Sequence, residues 1–109
     1  MVEYALNLDY IFASLADSTR RDILRRVSSQ ELSVGEIASP YDLTFAAISK
    51  HLKVLEKAKL IIKRRRGKEQ MVRLSPQALA NVDKYLEAYR RLWEERLDSL
   101  ENYLKETEE

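Results

Sequence analysis

Five cations stand in six positions at residues 63–68: Lys63, Arg64, Arg65, Arg66 and Lys68, broken only by Gly67. Short apolar runs flank them, "LII" before and "MVRL" after. Lys and Arg packed this closely neutralise phosphates and release the counterions condensed on a nucleic acid. The chain as a whole has a net charge of only +1. Residues 49–73 hold ten Lys or Arg against two Glu, a local +8, while the other nine cations face sixteen anions. A basic surface on an acidic body points to a polyanion partner. A disordered basic tail would not be bracketed by strand-forming residues, so the run is expected to be ordered.

Other chemistry is poorly supplied. There is one imidazole, His51, and no cysteine. Disulfides and thiolate metal sites are excluded, and a lone histidine cannot complete a zinc shell. No Gly-rich phosphate loop is present, and nothing sets a nucleophile beside a base. The expectation is a protein that is not an enzyme, with no metal and no cofactor. Glu94, Glu95, Asp98 and Glu101 read as a solvated helix face. No apolar run approaches the ~20 residues of a membrane span, and the N-terminus lacks a basic start and a cleavage site. A cytoplasmic protein without membrane contact is expected.

The elements that must position the cations follow from periodicity. Residues 4–15 read as a helix with Leu6 or Leu8, Ile11, Phe12 and Leu15 as apolar contacts. Asp17 caps a second helix, whose buried stripe is Ile23, Leu24 and Val27, with Arg21, Asp22 and Arg25 left in water. Ser33 and Glu36 form a capping box for a short third helix, which Pro40 ends near Ala38 or Ser39. Thr44 caps a fourth helix over 44–58. Its Ile48, Leu52 and Leu55 share one side. Ala46, Ser49, Lys50, Lys53 and Lys57 fall on the other. Two helices about four residues apart, the second with small and basic residues outward, is the helix-turn-helix arrangement.

After Lys59 the period shortens to that of a hairpin around Gly67. Two registers are open. A three-residue loop, Arg66 to Lys68, puts Leu60, Ile62, Val72 and Leu74 on one face and pairs Arg65 with Glu69. A two-residue turn at Gly67-Lys68 buries Ile61 instead of Ile62.

Ser75 and Pro76 open a last helix reaching about Lys105. Leu79, Val82, Leu86, Tyr89, Trp93, Leu97, Leu100 and Leu104 recur close to heptad spacing. Such a helix, ~45 Å long, outreaches a domain of this size and predicts a partner chain. Tyr4, Tyr10, Phe12, Tyr85, Tyr89, Trp93 and Tyr103 gather on the first and last helices. They either pack between helices or line a pocket for an unidentified small-molecule effector.

"LADSTRRDILRRV", "LSVGEIA", "AISKHLKVLEKAKLI" and "RRRGKEQMVRL" resemble the ArsR-type winged helix-turn-helix regulators, in the subset without metal-binding residues. The resemblance runs continuously over about residues 10–75. It implies a mainly α fold with a small β-hairpin. It also implies one domain over 1–109: a DNA-binding core at 17–75 and dimerisation helices at 1–16 and 76–109. Helix 44–58 would enter the major groove of double-stranded DNA and wing 63–69 would follow the backbone. Thr44, Phe45, Ser49, Lys50 and His51 fall on positions that face DNA in that family. Ala46, Lys53, Arg64, Arg65, Arg66 and Lys68 complete the expected contact set. A homodimer would form through Leu8, Phe12, Leu79, Val82, Leu86, Tyr89, Trp93, Leu97, Leu100 and Leu104. The chain departs from the pattern at Phe45, where Gln is usual. An adenine-reading amide is missing there, and Phe45 either contacts a thymine methyl or packs. Lys59 stands where Gly is common and would have to adopt a left-handed conformation. The leading expectation is a sequence-specific repressor on an inverted repeat. A protein-interaction adaptor and a small-molecule-sensing regulator are the alternatives.

Overall fold

The computed structural model describes residues 2–108, with side chains for residues 7–107. Tyr4 and Leu6 lie outside the described side chains. The order is α1 (Val2–Leu15), α2 (Ser18–Ser29), β1 (Leu32–Ser33), α3 (Val34–Ala38), α4 (Phe45–Lys57), β2 (Ile61–Arg66), β3 (Glu69–Leu74) and α5 (Pro76–Glu108). Residues up to Leu79 form one compact unit, and Ala80 onward forms a second.

In the first unit each helix starts where a side chain takes up free backbone N–H groups. The Asp17 carboxylate accepts from the Arg20 N–H, which holds its pKa below the usual carboxylate range. Ser33 and Glu36 cap reciprocally, at 3.1 and 3.0 Å. The Thr44 hydroxyl accepts from the Ala47 N–H at 3.1 Å. Helix α4 ends on Lys59 at φ 60. The Lys59 and Leu60 N–H groups donate back to Glu56 and Leu55 carbonyls. This pair of bonds is a Schellman ending, and a lysine carries the left-handed residue usually given to Gly.

The core joins Leu8 and Ile11 of α1, Ile23 and Val27 of α2, Ile37 of α3, Ile48, Leu52 and Leu55 of α4, and Leu60, Ile61, Met71 and Val72 of the hairpin. Leu24 is only half-buried and Phe12 is exposed, so the first two apolar stripes are narrower than their sequence suggests. Burial of side chains of this size stabilises by about 1.5–3 kcal/mol each.

The hairpin takes the two-residue turn. Ile61 pairs with Leu74 and Arg66 with Glu69. Ile61 is 3% exposed and Ile62 is 37% exposed. Gly67, at φ 62, supplies the positive angle, and Lys68 does not share it, the pattern of a type II′ turn. The alternative with Ile62 inward is thereby excluded. Strand β1 was not legible as a strand. It pairs Leu32 with Val72 and Ser33 with Met71, giving a three-stranded antiparallel sheet in the order β1-β3-β2.

Three arginines of α2 tie helix ends together, among them Arg21, which stays exposed as expected. Arg20 donates to the Ser14 and Ala13 carbonyls at 2.7 and 3.2 Å. Arg21 donates to Leu15 O at 2.8 Å. Arg26 donates to Ile37 O and Glu36 O, both at 2.8 Å, and lies 5.4 Å from the Tyr41 ring centre. The Tyr41 hydroxyl donates to Asp22, which keeps that carboxylate ionised to lower pH. The turn between α3 and α4 is therefore fastened to α2 on both sides of Tyr41.

In the second unit α5 is a continuous helix that ends three residues past the expected Lys105. Its polar face is laced by Arg90 with Asp83 and Glu87, and by Lys105 with Glu101. Tyr85 and Tyr89 meet one turn apart, their rings tilted by 57° with centres 5.4 Å distant.

Candidate nucleic-acid interface

Helix α4 spends its apolar face on the core. Ile48, Leu52 and Leu55 are 0–1% exposed. What remains outward is Ala46, Lys50 and Lys53, with Ser49 half-buried beside them. Among the described residues neither lysine has a hydrogen bond or ion pair. Lys57 leaves this set: its ammonium lies 5.0 Å from the Tyr10 ring centre and ties α4 to α1. Phe45 sits in the first turn and is 68% exposed, so it does not pack.

His51 is less available than its sequence position suggests. Its Nδ1 stands 3.4 Å from an Arg20 Nη1 and 3.8 Å from an Asp17 Oδ2. One ring nitrogen thus faces the start of α2.

The cations of the wing separate into two groups. Lys63 is largely covered, with its Nζ 3.4 Å from Glu56 of α4. Arg64 clamps Glu31 through Nε at 2.7 Å and Nη2 at 2.5 Å. That two-point hydrogen bond lowers the Glu31 pKa and raises that of Arg64. Arg64 is therefore partly neutralised within the chain, which the sequence reading did not foresee. Nearer the tip, the Arg65 Nε donates to Gly67 O at 3.3 Å. The side chains of Arg66 and Lys68 make no hydrogen bond or ion pair among the described residues. The base of the wing holds it against α4 and the β1 side, and the tip keeps its charge for something else.

A cleft of about 420 Å³ separates the two basic elements, bordered by Gly35, Phe45, Ser49, Lys63, Lys68 and Gln70. Phe45, Ser49 and Leu52 of α4 line one side of it, and Lys63, Lys68, Glu69 and Gln70 of the wing line the other. A duplex major groove is about 12 Å wide and admits one helix, with phosphates along both edges.

On α5 the heptad positions are exposed: Leu86, Tyr89, Trp93, Leu97, Leu100 and Leu104 among them, with Trp93 at 65%. Val82 is half-buried. Leu79, 40% exposed, belongs to the first unit. In α1, Phe12 is 44% exposed. Leu8, expected at the dimer contact, is 8% exposed and already in the protomer's own core. It has little surface left to give a partner. Among the described residues no group of three or more His, Cys, Asp or Glu is arranged to hold a metal, and no helix is long and apolar enough to cross a membrane.

A helix-turn-helix whose second helix exposes lysines, followed by a basic hairpin, defines the winged helix-turn-helix class. The comparisons agree. A family described as a helix-turn-helix domain matches residues 15–64. The transcriptional regulator Rv2034 of Mycobacterium tuberculosis is 40% identical over 72 residues, 66% of this chain and 67% of that one. The arsenical resistance operon repressor of Escherichia coli is 32% identical over 91 residues, covering 83% of this chain and 78% of the repressor. The crystal structure of an ArsR family transcriptional regulator superposes with a TM-score of 0.76 at 31% identity, over 83% of this chain and 93% of that one. The chain belongs to the ArsR family of helix-turn-helix transcriptional regulators.

Proposed function

We propose that this regulator is a homodimeric repressor that binds an inverted-repeat operator. Helix α4 enters the major groove, and the wing, residues 63–69, follows the phosphate backbone beside it. Ser49 and Lys50 read base edges, and Lys53, Arg65, Arg66 and Lys68 hold phosphates. Ala46 gives the groove close approach to the helix. The Thr44 hydroxyl accepts from the helix, and its proton stays free to donate. Arg64 contributes after exchanging Glu31 for phosphate, and His51 contributes through the ring nitrogen that does not face α2. One observation carries the reading: Lys50 and Lys53 on α4 and Arg66 and Lys68 at the wing tip are exposed, with no side-chain partner among the described residues.

The dimer is formed by the apolar stripe of α5 from Val82 to Leu104. Apolar rows at this spacing bury themselves against a second helix. Two-fold symmetry sets the half-sites about 34–36 Å apart. The name of the Escherichia coli relative supports repression as the sign of regulation.

Selection of bound sequences from a random duplex library tests the reading. A palindromic motif with half-sites one helical turn apart is the expected result. A library that yields no motif, or a single unrepeated half-site, would overturn it.

A further inference from the structure

The N-terminal end of α4 carries two apolar side chains that lie outside the buried core. Phe45 is 68% exposed and Leu43, just before the cap, is 44% exposed. Both belong to the turn that Thr44 fixes. Its cap bond to Ala47 and the Tyr41 contacts to Asp22 and Arg26 hold this segment from two sides. The ring is thus presented on a firm support. It stands at the edge of the cleft between α4 and the wing without entering the core. An aromatic side chain left in water beside free lysines is surface waiting for an apolar group inside a polyanion.

In the major groove only one base supplies such a group: thymine, through its C5 methyl. The first turn of a recognition helix is the part that meets base edges. We infer that Phe45, with Leu43 beside it, is a specificity determinant that reads thymine methyl groups in each half-site. The inference rests on α4 lying in the major groove, as proposed above. Phe45 has no hydrogen-bonding atom, so its discrimination is for the methyl itself. Cytosine, adenine and guanine offer it only polar edges.

The test uses the full-length protein and the duplex motif selected from the random library. Each thymine near the α4 start is replaced by deoxyuridine, which keeps every hydrogen-bonding group and removes only the methyl. For the unaltered protein, removing one methyl per half-site should weaken binding about fourfold for each half-site, the loss expected for one buried methyl. For Phe45→Ser, the affinities for thymine and deoxyuridine duplexes should coincide. The ring lies outside the core, so the variant keeps its fold. A wild-type protein indifferent to the methyls overturns the inference, as does a serine variant as sensitive as wild type. A motif lacking thymine at those positions also overturns it. Absence of any selected motif would instead strike at the placement of α4 in the groove.

Discussion

Helices α4 and α5 are both amphipathic, yet they keep opposite faces for solvent. Helix α4 buries Ile48, Leu52 and Leu55 and shows Lys50 and Lys53. Helix α5 pairs its charges along its own surface and shows Tyr89, Trp93, Leu97 and Leu100. Beyond its first turn, where Phe45 stands exposed, a helix whose apolar side is consumed offers mainly charge, and charge suits a phosphate backbone. A helix that pairs part of its charge along its own surface and leaves an apolar row exposed offers that row, which suits another protein chain. The face left over, more than the amphipathicity itself, indicates the kind of partner.

The comparison is broken most severely by removing the apolar face. The double change Trp93→Glu, Leu97→Glu should give a monomer in sedimentation. Operator affinity should fall roughly a hundredfold or more, because two linked half-site contacts become one. A dimer surviving this change would move the contact elsewhere. Next comes α4 itself. Lys50→Ala should cost about 1–3 kcal/mol of operator binding, with discrimination lost at the base it reads. Titration against the operator and single-base variants measures both.

Changes in the wing sharpen the comparison with smaller effects. Arg65→Ala should weaken all duplexes alike and reduce the slope of log K against log salt by about 0.9, one phosphate contact. An unchanged slope would remove Arg65 from the backbone. Glu31→Gln should act in the opposite direction. It releases Arg64, so the slope should steepen, by at most about 0.9. If binding weakens instead, the Glu31–Arg64 clamp serves to position the wing rather than to restrain it.

The smallest effect concerns the caps. Asp17 has a folded-state pKa below its ordinary value because its carboxylate accepts the Arg20 N–H. Its contribution is present above the ordinary carboxylate range and is lost as pH falls through the lowered value. Asp17→Asn keeps a capping oxygen and removes the titration. Its melting temperature should stay near wild type at pH 7 and fall less steeply below about pH 4.

What the sequence made legible was local. Asp17, the Ser33–Glu36 box and Thr44 each act within a few residues, so their spacing reveals them, while the left-handed Lys59 was implied by the family resemblance. The heptad row of α5 and the buried stripe of α4 were visible for the same reason. What stayed hidden depends on residues distant in the chain. Strand β1 is two residues long and exists only because β3 offers an edge about forty positions later. The hairpin register turned on which isoleucine the core accepts, a matter of packing. The Arg64–Glu31 clamp spans 33 positions and the approach of His51 to Arg20 spans 31. These pairings changed the site most. They withdrew much of Arg64 and one nitrogen of His51 from the surface expected to meet DNA.

The two faces should respond differently to salt, and this allows one direct measurement. Sedimentation velocity of the protein, with and without its selected operator, is followed from 0.1 to about 1 M salt. Screening and counterion competition weaken the phosphate contacts, whereas burial of apolar area is not weakened by salt. The dimer should persist over the whole range while its DNA complex dissociates steeply. A monomer at every salt concentration, or a DNA complex insensitive to salt, would contradict this.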